Sequence, residues 1–161
     1  MVLRREATVL ADHYQFHLRD EGTVYVFPEK WPDEALADRY LLATGCVAIA
    51  TAKNYFVPVT IEISEHEPNI VQSDWDHIVE CSVEFATGRV VLAGGPQTGR
   101  DAQMITLNTA GWWRLLALSG NLDRNDPDTT DDYYKIVFWR RPAAEPLLRK
   151  RYRAAAEPES V

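Results

Sequence analysis

Two apolar runs joined by an acidic, turn-rich connection constrain this chain more than any other feature. Gly111 to Pro142 reads GWWRLLALSGNLDRNDPDTTDDYYKIVFWRRP. The runs Trp112 to Leu118 and Tyr133 to Trp139 have the length, branching and aromatic content of strands. Paired antiparallel about the connection, one register matches their faces. Trp113, Leu115 and Ala117 then oppose Phe138, Ile136 and Tyr134 on an apolar face. The other face pairs Trp112 with Trp139, Arg114 with Val137, Leu116 with Lys135 and Leu118 with Tyr133. An antiparallel hairpin usually keeps one face dry and the other wet. A nominally wet face with two Trp, a Tyr, two Leu and a Val needs a cover. Either another part of the chain or a partner must supply it.

The rest of the chain repeats the strand signal. Ala7 to Leu18, Thr23 to Phe27, Cys46 to Ala52, Tyr55 to Ile63, Asp76 to Phe85, Arg89 to Ala93 and Met104 to Leu107 all read as strands. In the fourth of these, Tyr55, Val57, Val59, Ile61 and Ile63 share a face. Pro58 lies on the opposite face and suggests an edge or a bulge. Gly88 marks a turn that makes Arg89 to Ala93 a hairpin partner of the preceding strand. Trp31-Pro32-Asp33-Glu34 opens a helix through Tyr40 and Ala43, with Gly45 as its stop. The pattern predicts a mainly β fold, an antiparallel β-sandwich of about eight strands with one short helix. The sandwich would occupy residues 1–142. Residues 143–161 form a basic, Ala- and Pro-rich tail, read as a short helix or a disordered end.

Size and charge narrow the function. A chain of 161 residues, 46% of them hydrophobic, fits one domain with a real core. The net charge is −7, unevenly spread. Residues 1–139 hold 11 basic and 21 acidic side chains, whereas residues 140–161 hold 6 basic and 3 acidic. An acidic body repels phosphates, which argues against direct nucleic-acid binding and suits a basic protein partner. No apolar run is long enough for a membrane span, and the start lacks a signal-peptide pattern, so the chain reads as cytoplasmic. Cys46 and Cys81 each lie inside a strand-like run and read as small buried apolar residues.

Few residues carry a chemical motif. His13 and His17 on one strand would stand about 13 Å apart, too far to share a metal; the four histidines read as surface residues. The connection Asn121 to Asp132 holds Asp123, Asp126, Asp128, Asp131 and Asp132 but lacks the glycine and closing glutamate of an EF-hand. It reads as a solvated turn, an acidic contact surface or a cation site. Gly94 to Arg100 is Gly-rich but is not a phosphate loop. No nucleophile motif or paired carboxylates appear, so an enzyme is not supported and no cofactor or metal is expected. Trp112, Tyr133 and Trp139 would anchor a partner if exposed, with Asp126, Asp128, Asp131 and Asp132 steering it. Alternatively, the helix from Pro32 or Leu147 and Leu148 cover those aromatics.

The segments His13-Tyr14-Gln15-Phe16, Trp31-Pro32-Asp33-Glu34-Ala35 leading into Tyr40, and Gly45 to Ala52 resemble the competence protein J family, inhibitors of a DNA-entry nuclease. The likeness covers most of residues 10–140 and ends in a Gly-led strand, an acidic loop and a last strand, Gly111 to Trp139. The long Asn121 to Asp132 loop and the basic tail depart from it. The resemblance implies a compact, non-catalytic β-sandwich that binds and blocks a nuclease. A related immunity role, a module that stacks a carbohydrate-like ligand on its aromatics, and a homo-oligomer joined through the Trp face are the alternative readings.

Overall fold

The computed structural model describes residues 3–26, 28–94, 102–123 and 131–154. Among these residues two sheets pack face to face. The strands are β1 (Leu3–Leu10), β2 (Gln15–Asp20), β3 (Tyr40–Ala43), β4 (Cys46–Ala50), β5 (Phe56–Ile63), β6 (His77–Phe85), β7 (Arg89–Gly94), β8 (Gln103–Thr106), β9 (Gly111–Gly120), β10 (Tyr133–Arg140) and β11 (Leu147–Lys150), with one helix, α1 (Asp33–Asp38). A six-stranded sheet runs β1-β5-β10-β9-β6-β11, and a five-stranded sheet runs β3-β4-β2-β7-β8. All neighbours are antiparallel except β5 and β10, which are parallel. The mainly β, sandwich-like architecture is the one the alternation predicts.

The core lies between the sheets. Val57, Val59 and Ile61 of β5 are buried with Val79, Cys81, Val83 and Phe85 of β6, as their period of two requires. Trp113, Leu115, Ala117, Tyr134, Ile136 and Phe138 join them. The opposing sheet contributes Phe16, Leu18, Val47, Ile49, Val90 and Leu92. Edge-to-face pairs cross this core, with ring centroids 5.5 Å apart for Phe16 and Tyr134 and 5.8 Å for Phe85 and Phe138. Cys46 and Cys81 are buried free thiols, and burial raises the pKa of each to about 12.

The β9–β10 hairpin forms with its faces as expected but its register two residues away. Ile136 opposes Ala117, Phe138 opposes Leu115, and Trp139 opposes Arg114. A slip of two leaves every side chain on its face, so hydrophobic pattern alone does not separate the two registers.

Several boundaries differ from the expectation. Ala7 to Leu18 is not one strand. It splits into β1 and β2, in different sheets, at a corner where His13 and Tyr14 take φ of 58° and 60°. Residues 23–26 form no strand, and Val24 and Val26 are exposed. The helix ends at Arg39, in the left-handed region, rather than at Gly45. Tyr40 to Ala43 instead pair with β4, Tyr40 packs on the core, and Gly45 with φ of 66° closes the hairpin. Sheet pairing there overrides the helical spacing. Pro58 lies in an interior strand rather than at an edge. It opposes Thr8 and precedes the first pair of β5 with β10, Val59 with Tyr134. Across Gly88 the chain changes sheets, so β7 pairs with β2 and β8 and not with β6.

The tail reading also changes. Leu147 to Lys150 form an edge strand on β6 rather than a helix. A buried cation holds the approach to it. Arg114 Nε donates to Glu80 Oε2 at 2.6 Å, Nη1 donates to Ser82 Oγ and the Ala144 carbonyl, and Nη2 donates to the Glu145 carbonyl. Arg149 lies 3.6 Å from the other Glu80 oxygen. Among the described residues no helix is long and apolar enough to cross a membrane.

Candidate functional site

The outer face of the six-stranded sheet is where sequence reasoning placed the partner anchors. It is stratified. At the β1–β5 side, Lys135 and Arg4 converge on Glu62 at 3.1 and 3.8 Å, and Glu6 accepts a hydrogen bond from Thr60. At its centre Ile78, Leu116, Leu118, Val137 and Trp139 form a second small core. Ile70 and Trp75 pack over it, from the connection between β5 and β6. That connection is tied down at both ends: the Ser64 N–H donates to the Phe138 carbonyl, and the Asp76 N–H to the Ser119 carbonyl. The cover required by the apolar wet face therefore comes from residues 64–76, not from α1 or from Leu147 and Leu148.

This cover divides the predicted anchors. Trp139 is 3% exposed and belongs to the second core. Trp112 and Tyr133 are each 41% exposed. They do not form one patch. Tyr133 opposes Gly120, eight residues along β9 from Trp112, or about 26 Å. Trp112 lines a shallow hollow with Arg140 and Arg141, in basic surroundings. Tyr133 meets the ring of Trp75 edge to face at 5.5 Å.

Acidic groups gather around the Tyr133 end. Asp131 and Asp123 are exposed there. Asn121 donates to the Asp131 carbonyl, Tyr152 Oη donates to Asp123 at 2.6 Å, and Leu122 N–H donates to Asp76 at 2.8 Å. Exposed Asp74 adjoins Trp75. Asp132 plays a different part from the steering expected of it. It is buried and accepts from Tyr134 Oη at 2.6 Å and from the Ala52 N–H at 3.1 Å. That arrangement stitches the two sheets, and burial with the adjacent carboxylate raises the Tyr134 pKa well above its usual value. Asp126, Asp128 and the loop from Gly95 to Arg100 lie outside the described residues. Among the described residues no three His, Cys, Asp or Glu side chains gather as metal ligands.

Two of the four histidines are interior rather than superficial. His77 Nε2 lies 2.6 Å from the Asp38 carbonyl, and Nδ1 accepts from the Tyr152 N–H. Only a neutral ring with its proton on Nε2 satisfies both contacts. His17 is buried and its ring tilts against Tyr25 at 4.7 Å. Burial first, and nearby arginines second, lower both pKa values to about 4. The unfolded chain therefore binds more protons between pH ~6.5 and ~4. Stability is full above that window and falls as pH drops through it, by about 3 kcal/mol per histidine. Urea unfolding at pH 7 and pH 4.5 should show this fall. A His17→Gln/His77→Gln variant should flatten it, and an unchanged slope in that variant would contradict the assignment.

One further feature escaped sequence reasoning. The β1–β2 corner, the segment from Pro28 to Trp31, the C-terminal end of α1 and the end of β4 line a cleft of about 530 Å³. Arg39 and Trp31 both line it. The Nε and Nη2 atoms of Arg39 and the Nε1 atom of Trp31 are buried without a hydrogen-bond partner.

No family model and no curated protein sequence matches this chain. Two solved structures share its fold. A structure of ComJ from Bacillus subtilis, inhibitor of the DNA degrading activity of NucA, superposes with a TM-score of 0.69 at 14% identity, covering 86% of this chain and 98% of that one. The product of crocagin biosynthetic gene J superposes with a TM-score of 0.58 at 12% identity, covering 86% and 97%. The chain has a ComJ-like fold, the one its resemblance to the competence protein J family implies.

Proposed function

We propose that this chain is a non-catalytic protein-binding module that docks on a nuclease and blocks it. The observation that carries the reading is the fold likeness to a nuclease inhibitor over nearly the whole of that inhibitor's length. The acidic charge supports it, because a nuclease site that accepts DNA phosphates also attracts carboxylates. The contact surface is the Tyr133 end of the outer face. Tyr133 and Trp75 supply a rigid aromatic anchor, and Asp74, Asp123 and Asp131 supply the acidic rim. Asp126 and Asp128 extend that rim in sequence. Trp112 stands outside it, and Trp139, six residues along β10 from Tyr133, is buried in the second core.

Immobilised protein should retain a nuclease from a lysate of the source organism. An Asp123→Asn/Asp131→Asn variant should associate more slowly and with a flatter salt dependence, because rim charges act mainly on the encounter rate. Tyr133→Ala should speed dissociation by about tenfold or more, as loss of a hot-spot aromatic does. Unchanged association in the first variant and unchanged dissociation in the second would remove this surface from the account.

A further inference from the structure

We propose that β3 is the seam of a homodimer, where a second copy of this chain pairs antiparallel with it and joins two five-stranded sheets into one. A sheet edge presents unpaired N–H and C=O groups, and folded proteins guard such edges with charge or cover. Among the described residues the two sheets have four edges, and three are guarded. β1 carries Arg4, Arg5 and Glu6. Arg5 also crosses to β8, where Nη1 donates to the Met104 carbonyl at 2.7 Å, so one side chain blunts both edges. β11 carries Arg149 and Lys150. β3 is different. Tyr40 to Gly45 reads YLLATG, without a charge, and among the described residues no strand pairs with its outer edge.

This edge is self-complementary. The Ala50 N–H donates to the Arg39 carbonyl, so antiparallel alternation turns the main chain of residues 39, 41 and 43 toward β4. Tyr40 and Leu42 therefore aim their N–H and C=O groups outward. A two-fold axis through Leu42 sets that residue against its own counterpart in the second copy, each donating to the other's carbonyl. Side chains favour the same pairing. Leu42 is 37% exposed although it opposes buried Val47 on the core side of the sheet. On the outer face, Leu41 and the exposed Val24 and Val26 line a groove of about 500 Å³ that carries no charge among the described residues. A strand added beside β3 would cover both sides. Charge decides the occupant. Two chains of net charge −7 repel each other, and an uncharged edge is where that repulsion is weakest. A charged foreign partner would find no complementary group there. The seam shares no residue with the proposed nuclease surface, so its failure would leave that reading intact.

Sedimentation equilibrium of the full-length protein tests it. The average mass should rise from monomer to dimer between micromolar and millimolar protein and go no further, since an isologous pair closes on itself. Leu42→Lys sets two like charges face to face at the axis and should weaken the dimer by at least about tenfold. Val24→Lys/Val26→Lys changes only exposed positions and should also weaken it, which serves if Leu42→Lys disturbs the fold. Leu42→Cys should cross-link two chains under mild oxidation, because opposed residues of an antiparallel pair stand within disulfide reach. Leu147→Cys, at the exposed start of β11, should not. The proposal fails if the wild type stays monomeric throughout, if neither lysine variant weakens the dimer, or if Leu42→Cys cross-links no faster than Leu147→Cys. A monomer that instead pairs β3 with a strand of another protein would also overturn the second-copy assignment.

Discussion

Replacing Arg114 by alanine is expected to destabilise the fold by about 3–5 kcal/mol, the usual cost of leaving one member of a buried ion pair alone. The Glu80 carboxylate would keep only Arg149, at 3.6 Å, and the Ala144 and Glu145 carbonyls would lose their donor. Those carbonyls sit just before β11, so the edge strand should loosen before the rest unfolds. Hydrogen exchange at Leu148 and Lys150 should therefore accelerate more than exchange in β5 and β10. The paired variant Arg114→Met/Glu80→Met should be less destabilised than Arg114→Ala, because it removes both fully buried charges and leaves only the partly exposed Arg149 without its carboxylate. Equal losses in the two variants, or unaltered exchange in β11, would show that Arg114 does not hold this edge.

Gly94→Ala should be among the most damaging single substitutions, at more than about 4 kcal/mol. A Cβ at position 94 would fall on the Leu10 carbonyl oxygen, where the end of β1 passes β7. Leu10 is main chain and cannot rotate away, and Gly94 is fixed by its pairing with Phe16. Relief requires one sheet to shift against the other through the packed core, which is costly at interior densities. Thermal unfolding would measure the loss. A variant as stable as the parent would mean that the two sheets do not approach so closely.

What the sequence disclosed follows from what its signals encode. Period-two alternation marks strands and their faces, so Val57, Val59 and Ile61 and the two faces of β9 and β10 were legible. It does not say which sheet a strand joins. Hence the switch between β1 and β2 and the separation of β6 from β7 emerged only from the fold. Arg114 lay on the nominally wet face, but its hydrogen bonds to Glu80, Ser82 and the Ala144 and Glu145 carbonyls hold it in the interior. Ile70 and Trp75 were the available clue to the cover, since with Pro68 and Val71 they are the apolar residues of an otherwise polar connection. The predicted contact site dispersed because Trp112 and Tyr133 share a face without sharing an end. The cleft lined by Trp31 and Arg39 had no sequence signature, since its walls come together through the β1–β2 corner and the left-handed residue that ends α1.

The central claim is inhibition of a nuclease, and one titration tests it most directly. A nuclease retained on the immobilised protein would be eluted, and its cleavage of duplex DNA followed as purified protein is added. The account predicts that cleavage falls linearly and stops near one equivalent, while the Tyr133→Ala variant requires a large excess. Cleavage that continues unchanged once the protein is saturating would contradict it.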